Sequence, residues 1–544
     1  MPPSPPTAPS RAADLVASRL AEAGCRFAFG MPGGEVLTLI DALERAGIRF
    51  VLCKHENAGG FMAEGVHHRD GAPALLVATI GPGAMNAVNV VANAMQDRVP
   101  LIVLTGCADA DEAERYTHQV LDHRAVFAPI TKATFRLTAE SADIIADKAV
   151  AIATEGRAGP VHVDVPVAVA AAAASPARLR RRAPALPAVP APGPGLDTAR
   201  GWLAAARRPV MVAGLDALRD GAGPAIRALA EARGMPVVTS YKAKGILPED
   251  HPLALGGAGL SPLADRHILP LIRAADLVIC AGYDPVEMRQ GWGEVWDPAA
   301  QRVIDIAAEP NRHYMHQAGI AVVGHVAATL AALGSGPAAA PSWPGGEPAA
   351  VRAALEAAFP RHEAWGPAAV IDTCRSILPP ETVATVDSGA HRILLSQMWR
   401  VGAPRLLLQS SGLCTMGCAV PLAIGAALAE PARPVAAFTG DAGLLMVAGE
   451  LATAAELGLR PVVVVFVDAS LALIEMKQRQ VQLRAAGVDF ARHDFAALGR
   501  ALGGHGVTVR DRAALAAALG SALQADRFTV IAAEIDRAAY DGRI

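Results

Sequence analysis

Aromatic residues make up only 4% of the 544 positions, and charged residues only 19%. A chain so poor in large rings fills its interior with aliphatic side chains. The 52% hydrophobic content, heavy in Ala and Val, is enough for large cores, and the length calls for two to four of them. A net charge of −3 excludes the electropositive surface that nucleic acid requires. The one basic run, Arg178-Leu179-Arg180-Arg181-Arg182, lies in an Ala/Pro-rich stretch and reads as a solvated linker. Seven cysteines, scattered and odd in number, fit a reduced protein rather than a disulfide framework. Cys414 and Cys418 could share a helix face, but no His or Cys with zinc spacing is near, so they read as small core residues. No apolar run reaches the roughly 18–20 residues that span a bilayer. The Pro-rich segment 1–10 lacks the apolar centre of a signal peptide. The expectation is a soluble, cytoplasmic protein that binds neither membrane nor nucleic acid.

Short apolar strands alternate with helical patterns along the whole chain. In the first region, 11–170, strand-like runs at 26–29, 50–53, 74–79, 101–104 and 159–166 are separated by helical spacing at 12–23, 36–46, from 58, and after Gly81-Pro82-Gly83. An Ala/Pro/Arg-rich linker, 168–194, precedes a second region, 197–335, with strands at 208–214, 236–239, 275–282 and 321–324. A Pro/Gly/Ala-rich linker, 334–348, precedes a third, 361–544, with strands near 382–386, 434–438, 461–467 and 529–535. Buried strands between helices indicate parallel sheets covered on both faces. The expected fold class is therefore α/β, with three tandem doubly wound parallel-sheet domains.

Two acidic residues stand out against this plan. Asp441, in Thr439-Gly440-Asp441-Ala442-Gly443, ends one apolar strand and leads into a long helical stretch, 444–457. Asp468 ends the next strand, 27 residues later. Either alone is ordinary, since an Asp at a helix start is usually a cap. Together they frame a strand–helix–strand unit and offer oxygen ligands to a divalent metal. Gly440, Ala442 and Gly443 meanwhile let backbone N–H groups approach a phosphate. Far upstream, Glu56 lies in the apolar, Gly-rich segment from His55 to Gly65.

With these residues in view, the chain resembles the thiamin diphosphate (ThDP) enzyme superfamily. Its signature, Gly-Asp-Gly followed one unit later by Asn-Asn, is matched by Gly440-Asp441-Ala442 and Val467-Asp468. The replacement of Asn-Asn keeps an oxygen donor at the ligand position. Several further segments are similar to the acetolactate synthase branch, closest to its catabolic members. These are Thr79 to Asn86, Tyr116 to Asp122, Pro129-Ile130-Thr131-Lys132, Gly282 to Glu287, and Gly487-Val488-Asp489-Phe490. The resemblance implies pyrimidine-binding, central and diphosphate-binding domains in that order.

It also implies roles. Glu56 would hydrogen-bond the aminopyrimidine, where burial suits a carboxyl that shares a proton with a ring nitrogen. Gln119 would lie near the reacting carbons. Asp441, Asp468 and the carbonyl of Ser470 would hold Mg²⁺. Gly389, Ala390 and His391, with Gly440, Ala442, Gly443, Leu471, Ala472 and Leu473, would surround the cofactor. Met416 would be the apolar wedge that bends it, with Cys414 contributing a backbone carbonyl. Leu473, Ile474 and Lys477 would face the substrate, Lys477 standing where biosynthetic relatives carry Trp. The activity implied is decarboxylation of a 2-oxo acid with carboligation to a second carbonyl. The alternatives are a non-ligating 2-oxo acid or acyl-CoA decarboxylase, and a catalytically silent ThDP-binding relative. Ala213-Gly214-Leu215-Asp216-Ala217 lacks a Gly triplet, which argues against FAD. In the family the first domain of one subunit meets the third domain of another, so a homodimer is the minimum and a tetramer is common.

Overall fold

The computed structural model describes residues 10–176, 183, 185–334 and 342–544. The run Arg178–Arg182, most of segment 1–10 and much of the linker 334–348 lie outside the described residues. The chain forms two compact units, Met1–Ala185 with Ile424–Glu430, and Leu186–Ala423 with Pro431–Ile544.

Each of the three expected regions builds a six-stranded sheet whose paired strands are all parallel. In the first unit the strands lie in the order Arg49–Leu52, Phe27–Gly30, Ala74–Ala78, Leu101–Cys107, Val161–Pro166, Ala133–Arg136. The central strand Leu101–Cys107 is buried at every position, as the covered-on-both-faces reading requires. The linker 168–194 is more structured than its composition suggests. It contains a helix, Val167–Ala171, and a short strand, Ala173–Ala174, paired antiparallel with Ser10–Arg11.

The second unit carries two sheets. One runs Ala254–Gly257, Val237–Thr239, Pro209–Ala213, Leu277–Ala281, Arg302–Ala307, Ile320–Val323. The other runs Leu407–Gln409, Val383–Val386, Val435–Gly440, Val462–Val467, Thr529–Glu534, His505–Val509. Counted along the chain, this last sheet and that of the first unit share one order: second, first, third, fourth, sixth, fifth. In both, the order reverses beside the first strand, and an open α/β sheet binds its ligand at the carboxyl ends of the strands flanking such a reversal.

Several strands escaped the sequence reading, among them Ala133–Arg136, Ala254–Gly257, Leu407–Gln409 and His505–Val509. All four lie at sheet edges, where strands are short or only half-buried and the apolar signal is weak. The expected long helix 444–457 is two helices, Asp441–Val447 and Glu450–Glu456. At the break, Leu451 and Ala452 donate their N–H groups to Ala448 and Gly449, a tighter turn than the α pattern. Among the described residues no helix is long and apolar enough to cross a membrane.

Within the second unit the two sheets are joined by a buried ion pair. Lys244 Nζ lies 2.5 Å from Glu249 Oε1, and Glu249 Oε2 accepts the Val401 N–H at 2.8 Å. Removing the cation strands a carboxylate at 7% exposure. Lys244→Met is therefore expected to cost about 3–5 kcal/mol of stability in chemical denaturation. A loss under about 1 kcal/mol would show that water reaches the pair.

Candidate active site

The third sheet ends in four loops around a cleft of about 800 Å³. The cofactor, metal and substrate residues expected from this part of the chain all line it. Ser388, Gly389, Ala390 and His391 come from the turn after Val383–Val386. Cys414 and Met416 come from the turn before the helix Ala419–Ala429. Gly440 to Gly443 follow Val435–Gly440. Asp468, Ser470, Leu471, Ala472, Leu473, Ile474 and Lys477 follow Val462–Val467.

Asp441 begins its helix rather than capping it, because the N-cap is Gly440. Its Oδ1 accepts the Ala442 N–H at 2.8 Å, and its Oδ2 accepts those of Asp468 at 3.1 Å and Ala469 at 2.7 Å. One carboxylate thus ties together the ends of two adjacent strands. Asp468 Oδ1 accepts the Ser470 N–H at 3.0 Å. Burial, then the neighbouring Asp441 charge, pushes the Asp468 carboxyl up to about 7. Burial also raises Asp441. Two buried carboxylates in mutual repulsion form a donor set suited to a hard divalent cation.

The opposite charge requirement shows nearby. His391 Nε2 and Ser388 Oγ are buried, lack partners and belong to residues lining the cleft. Unpaired buried polar atoms are costly unless a ligand meets them, and both can serve phosphate oxygens. Gly443 leaves room for this floor, since a Cβ there would stand 2.0 Å from Asp387 Oδ2.

Asp387 itself was missed in the sequence. It is fully buried and accepts from the N–H groups of Ser388, Gly417 and Cys418 and from the Thr439 hydroxyl, at 2.9 to 3.2 Å. A strand-end Asp, the same signal that singled out Asp441, could have found it. Cys414 and Cys418 share no helix. Cys418 is buried, but Cys414 is exposed, at φ 53° in the left-handed region, with its thiol donating to Ser411 O at 3.1 Å. Tyr540 and Gly542 also line the cleft, from the last turn of the chain.

Glu56 and Gln119 belong to the first unit. Glu56 starts the helix Glu56–Asp70 after His55, whose ring Nδ1 accepts the Asn57 N–H at 3.2 Å. The Glu56 side chain is buried, and its Oε2 accepts Asn86 Nδ2–H at 2.9 Å. Gly83 stands so close that a Cβ on it would lie 3.1 Å from Glu56 Oε1. Gln119 is exposed at φ 60°, and a Cβ on Gly81 would lie 2.8 Å from its carbonyl oxygen. The turn Gly81-Pro82-Gly83 therefore abuts both residues.

Three family descriptions match the chain in order. Residues 10–126 match "Thiamine pyrophosphate enzyme, N-terminal TPP binding domain", 196–333 the central domain, and 387–533 the C-terminal TPP binding domain. The chain is 32% identical over 477 residues to the acetolactate synthase isozyme 1 large subunit of Escherichia coli (strain K12), across 86% of this chain and 83% of that one. It is 32% identical over 499 residues to the probable 2-ketoarginine decarboxylase AruI of Pseudomonas aeruginosa, across 89% and 87%. It is 29% identical over 539 residues to the catabolic acetolactate synthase of Raoultella terrigena, across 96% and 95%.

Burial lowers the His391 imidazole from 6.5 to about 3. Between those values the unfolded chain holds a proton that the folded chain refuses. The stabilising difference is complete above pH 6.5 and is lost as pH falls. From about pH 7.5 to about pH 5.5 the ligand-free protein is expected to lose about 1.4 kcal/mol from this group. Urea midpoints of wild type and His391→Gln at both pH values test it, and equal losses in the two proteins would remove His391 as the cause.

Proposed function

The chain belongs to the thiamine pyrophosphate enzyme family, and from that premise we propose a ThDP- and Mg²⁺-dependent decarboxylase of 2-oxo acids that joins the retained acyl group to a second carbonyl. The observation that carries this reading is the single cleft that gathers His391, Met416, Asp441, Asp468 and Lys477. Bound ThDP supplies a nucleophilic carbon and a sink for the electrons released with CO₂. The chain's own residues do the rest. Asp441, Asp468 and the Ser470 carbonyl would hold the metal, with His391, Ser388 and the amides after Gly440 on the diphosphate. Met416, on the wall of the cleft, would pack against the cofactor. Glu56 holds or passes a proton at the pyrimidine, and Asn86 fixes its carboxylate so that Oε1 stays available. Gln119 orients the reacting carbonyl. The reading includes a homodimer at least, in the cytoplasm.

Wall chemistry favours an anionic substrate. Apart from Asp441 and Asp468, the charged side chains lining the cleft are Arg266, Arg289, Arg392 and Lys477. Among the described residues Lys477 and Arg266 are exposed, and neither has an ion-pair partner. Such a wall suits the carboxylate of a 2-oxo acid acceptor and repels a guanidinium such as that of 2-ketoarginine. Lys477 thereby takes the acceptor's carboxylate, where biosynthetic relatives carry Trp.

The reading does without flavin. In the central sheet the strand order reverses between Pro209–Ala213 and Leu277–Ala281, where a dinucleotide would lie. There Gly214 N–H donates to Ala281 O and Asp216 N–H to Gly282 O, both at 3.0 Å. A Cβ on Gly282 would stand 2.2 Å from Ala217 N. Turns stitched this closely support the flavin-free reading.

A panel of 2-oxo acids with ThDP and Mg²⁺, read for CO₂ and products together, tests the proposal. Pyruvate is expected to give acetolactate, whereas acetaldehyde as the sole product would make the protein a simple decarboxylase. Glu56→Gln should lower CO₂ release by about 100-fold or more, and unchanged release would remove Glu56 from the mechanism. Chelation of the metal should abolish turnover and Mg²⁺ should restore it.

A further inference from the structure

The first unit holds a buried chain of polar groups that the proposed chemistry leaves unused. His123, in the helix His123–Phe127, meets Thr105 from the strand Leu101–Cys107 and His162 and Asp164 from the strand Val161–Pro166. All four are at most 4% exposed. His123 Nδ1 lies 3.0 Å from Asp164 Oδ1, and the Thr105 hydroxyl donates to the same oxygen at 2.7 Å. Thr105 Oγ1 also lies 2.7 Å from His162 Nε2. On its other side His123 leaves the cluster, because the Gly81 N–H donates to His123 Nε2 at 3.1 Å.

These partners fix the protons. Nε2 of His123 must be bare to accept from an amide, so the neutral ring carries its proton on Nδ1 and donates it to Asp164. The Thr105 hydrogen goes to Asp164, so its oxygen accepts from His162 Nε2–H. The same assignment leaves His162 Nδ1 bare, and that atom is buried without a partner. Burial lowers the His162 imidazole, in keeping with the neutral ring of this assignment. Burial works to raise the Asp164 carboxyl, but the hydrogen bonds from His123 and Thr105, with the nearby His162 ring, outweigh it and hold it below the usual range.

Gly81 is where this chain acts. It sits at φ 66°, in a turn that touches the Gln119 carbonyl at one end and the Glu56 carboxylate at the other. We propose that His123, oriented by Asp164, is a positioning residue that holds the Gly81–Gly83 turn against Glu56 and Gln119, with the Nδ1–H tautomer as the working state. The roles of Glu56 and Gln119 rest on the proposed function, whereas the tautomer does not. His123, His162 and Asp164 present ligand atoms within 4.8 Å of one another, as a metal site would. Each facing atom is already engaged in the proton network, which accounts for the cluster without an ion.

Full-length protein labelled with ¹⁵N-histidine reports the tautomer directly, with His123 assigned by its loss in His123→Gln. The expected wild-type state is Nδ1–H. Asp164→Asn offers a donor where an acceptor stood, moves the His123 proton to Nε2 and turns it against the Gly81 N–H. CO₂ release should then fall about 100-fold in kcat, with KM within about threefold. His123→Ala should fall comparably. His123→Gln, whose amide oxygen reaches the place of Nε2, should stay within about fivefold, a rescue that lost packing alone does not give. An Nε2–H wild type overturns the proposal. So do folded His123→Ala and Asp164→Asn proteins with kcat within about threefold of wild type, or one equivalent of metal lost with His123→Ala. If Asp164→Asn fails to fold, the His123 pair and the wild-type spectrum decide. If wild type releases no CO₂ with ThDP, the proposed function fails and the spectrum alone upholds or overturns the relay.

Discussion

One buried carboxylate, Asp387, sets the floor of the cleft. Four donors from three separate segments converge on it: the Ser388 amide after one strand, the Gly417 and Cys418 amides before a helix, and the Thr439 hydroxyl on the neighbouring strand. A charge this deep costs several kcal/mol unless its oxygens are filled, so the three segments are held to one arrangement. Met416 and Gly440 each adjoin a residue that Asp387 grips, and their places on the cleft follow from that grip. Gly443 follows from the same constraint, because no side chain fits beside Asp387 Oδ2.

The parts of this site that were legible in the sequence are those with local signatures. Asp441 and Asp468 were visible because each ends a run of valines and other apolar residues, and a period of that kind survives without coordinates. The three sheets were visible for the same reason, apart from four edge strands that are short or half-exposed and the interior strand Arg302–Ala307, which was passed over. Asp387 carries the same strand-end signal but was passed over, and its role was hidden because its partners lie up to 52 residues away and share no motif. His123 and Asp164 were equally hidden. Their pairing spans 41 residues and depends on two elements folding side by side. Cys414 was legible as a neighbour of the cofactor through its backbone carbonyl, but the conformational cost of a cysteine there was not. Only the φ of 53° reveals a conformation that glycine adopts freely and cysteine does not.

The three aspartates around the cleft differ in how they are satisfied, and that difference sorts their roles. Asp387 is saturated by the protein's own donors and has little capacity left for a ligand. Asp441 spends its capacity on amides, which position it and the strand end of Asp468 together. Asp468 receives one amide, from Ser470, and is otherwise left facing a second negative charge. A carboxylate supplied with too few donors beside a like charge is a poor structural element and a good cation ligand.

On the proposed reading, this explains why Val467-Asp468 can stand where relatives carry two amides. Val467 is 2% exposed at the end of its strand and fills core that an asparagine side chain would have to hydrate or bond. Asp468 restores the oxygen and adds a charge, which raises the energy of the empty site and deepens its attraction for a dication. Ala469 then turns at φ 57° so that its N–H reaches Asp441 Oδ2 at 2.7 Å, bringing the two carboxylates to one side of the loop. The backbone strain of that turn, about 1 kcal/mol, is the cost of the amide contact that ties the Asp468 loop to Asp441.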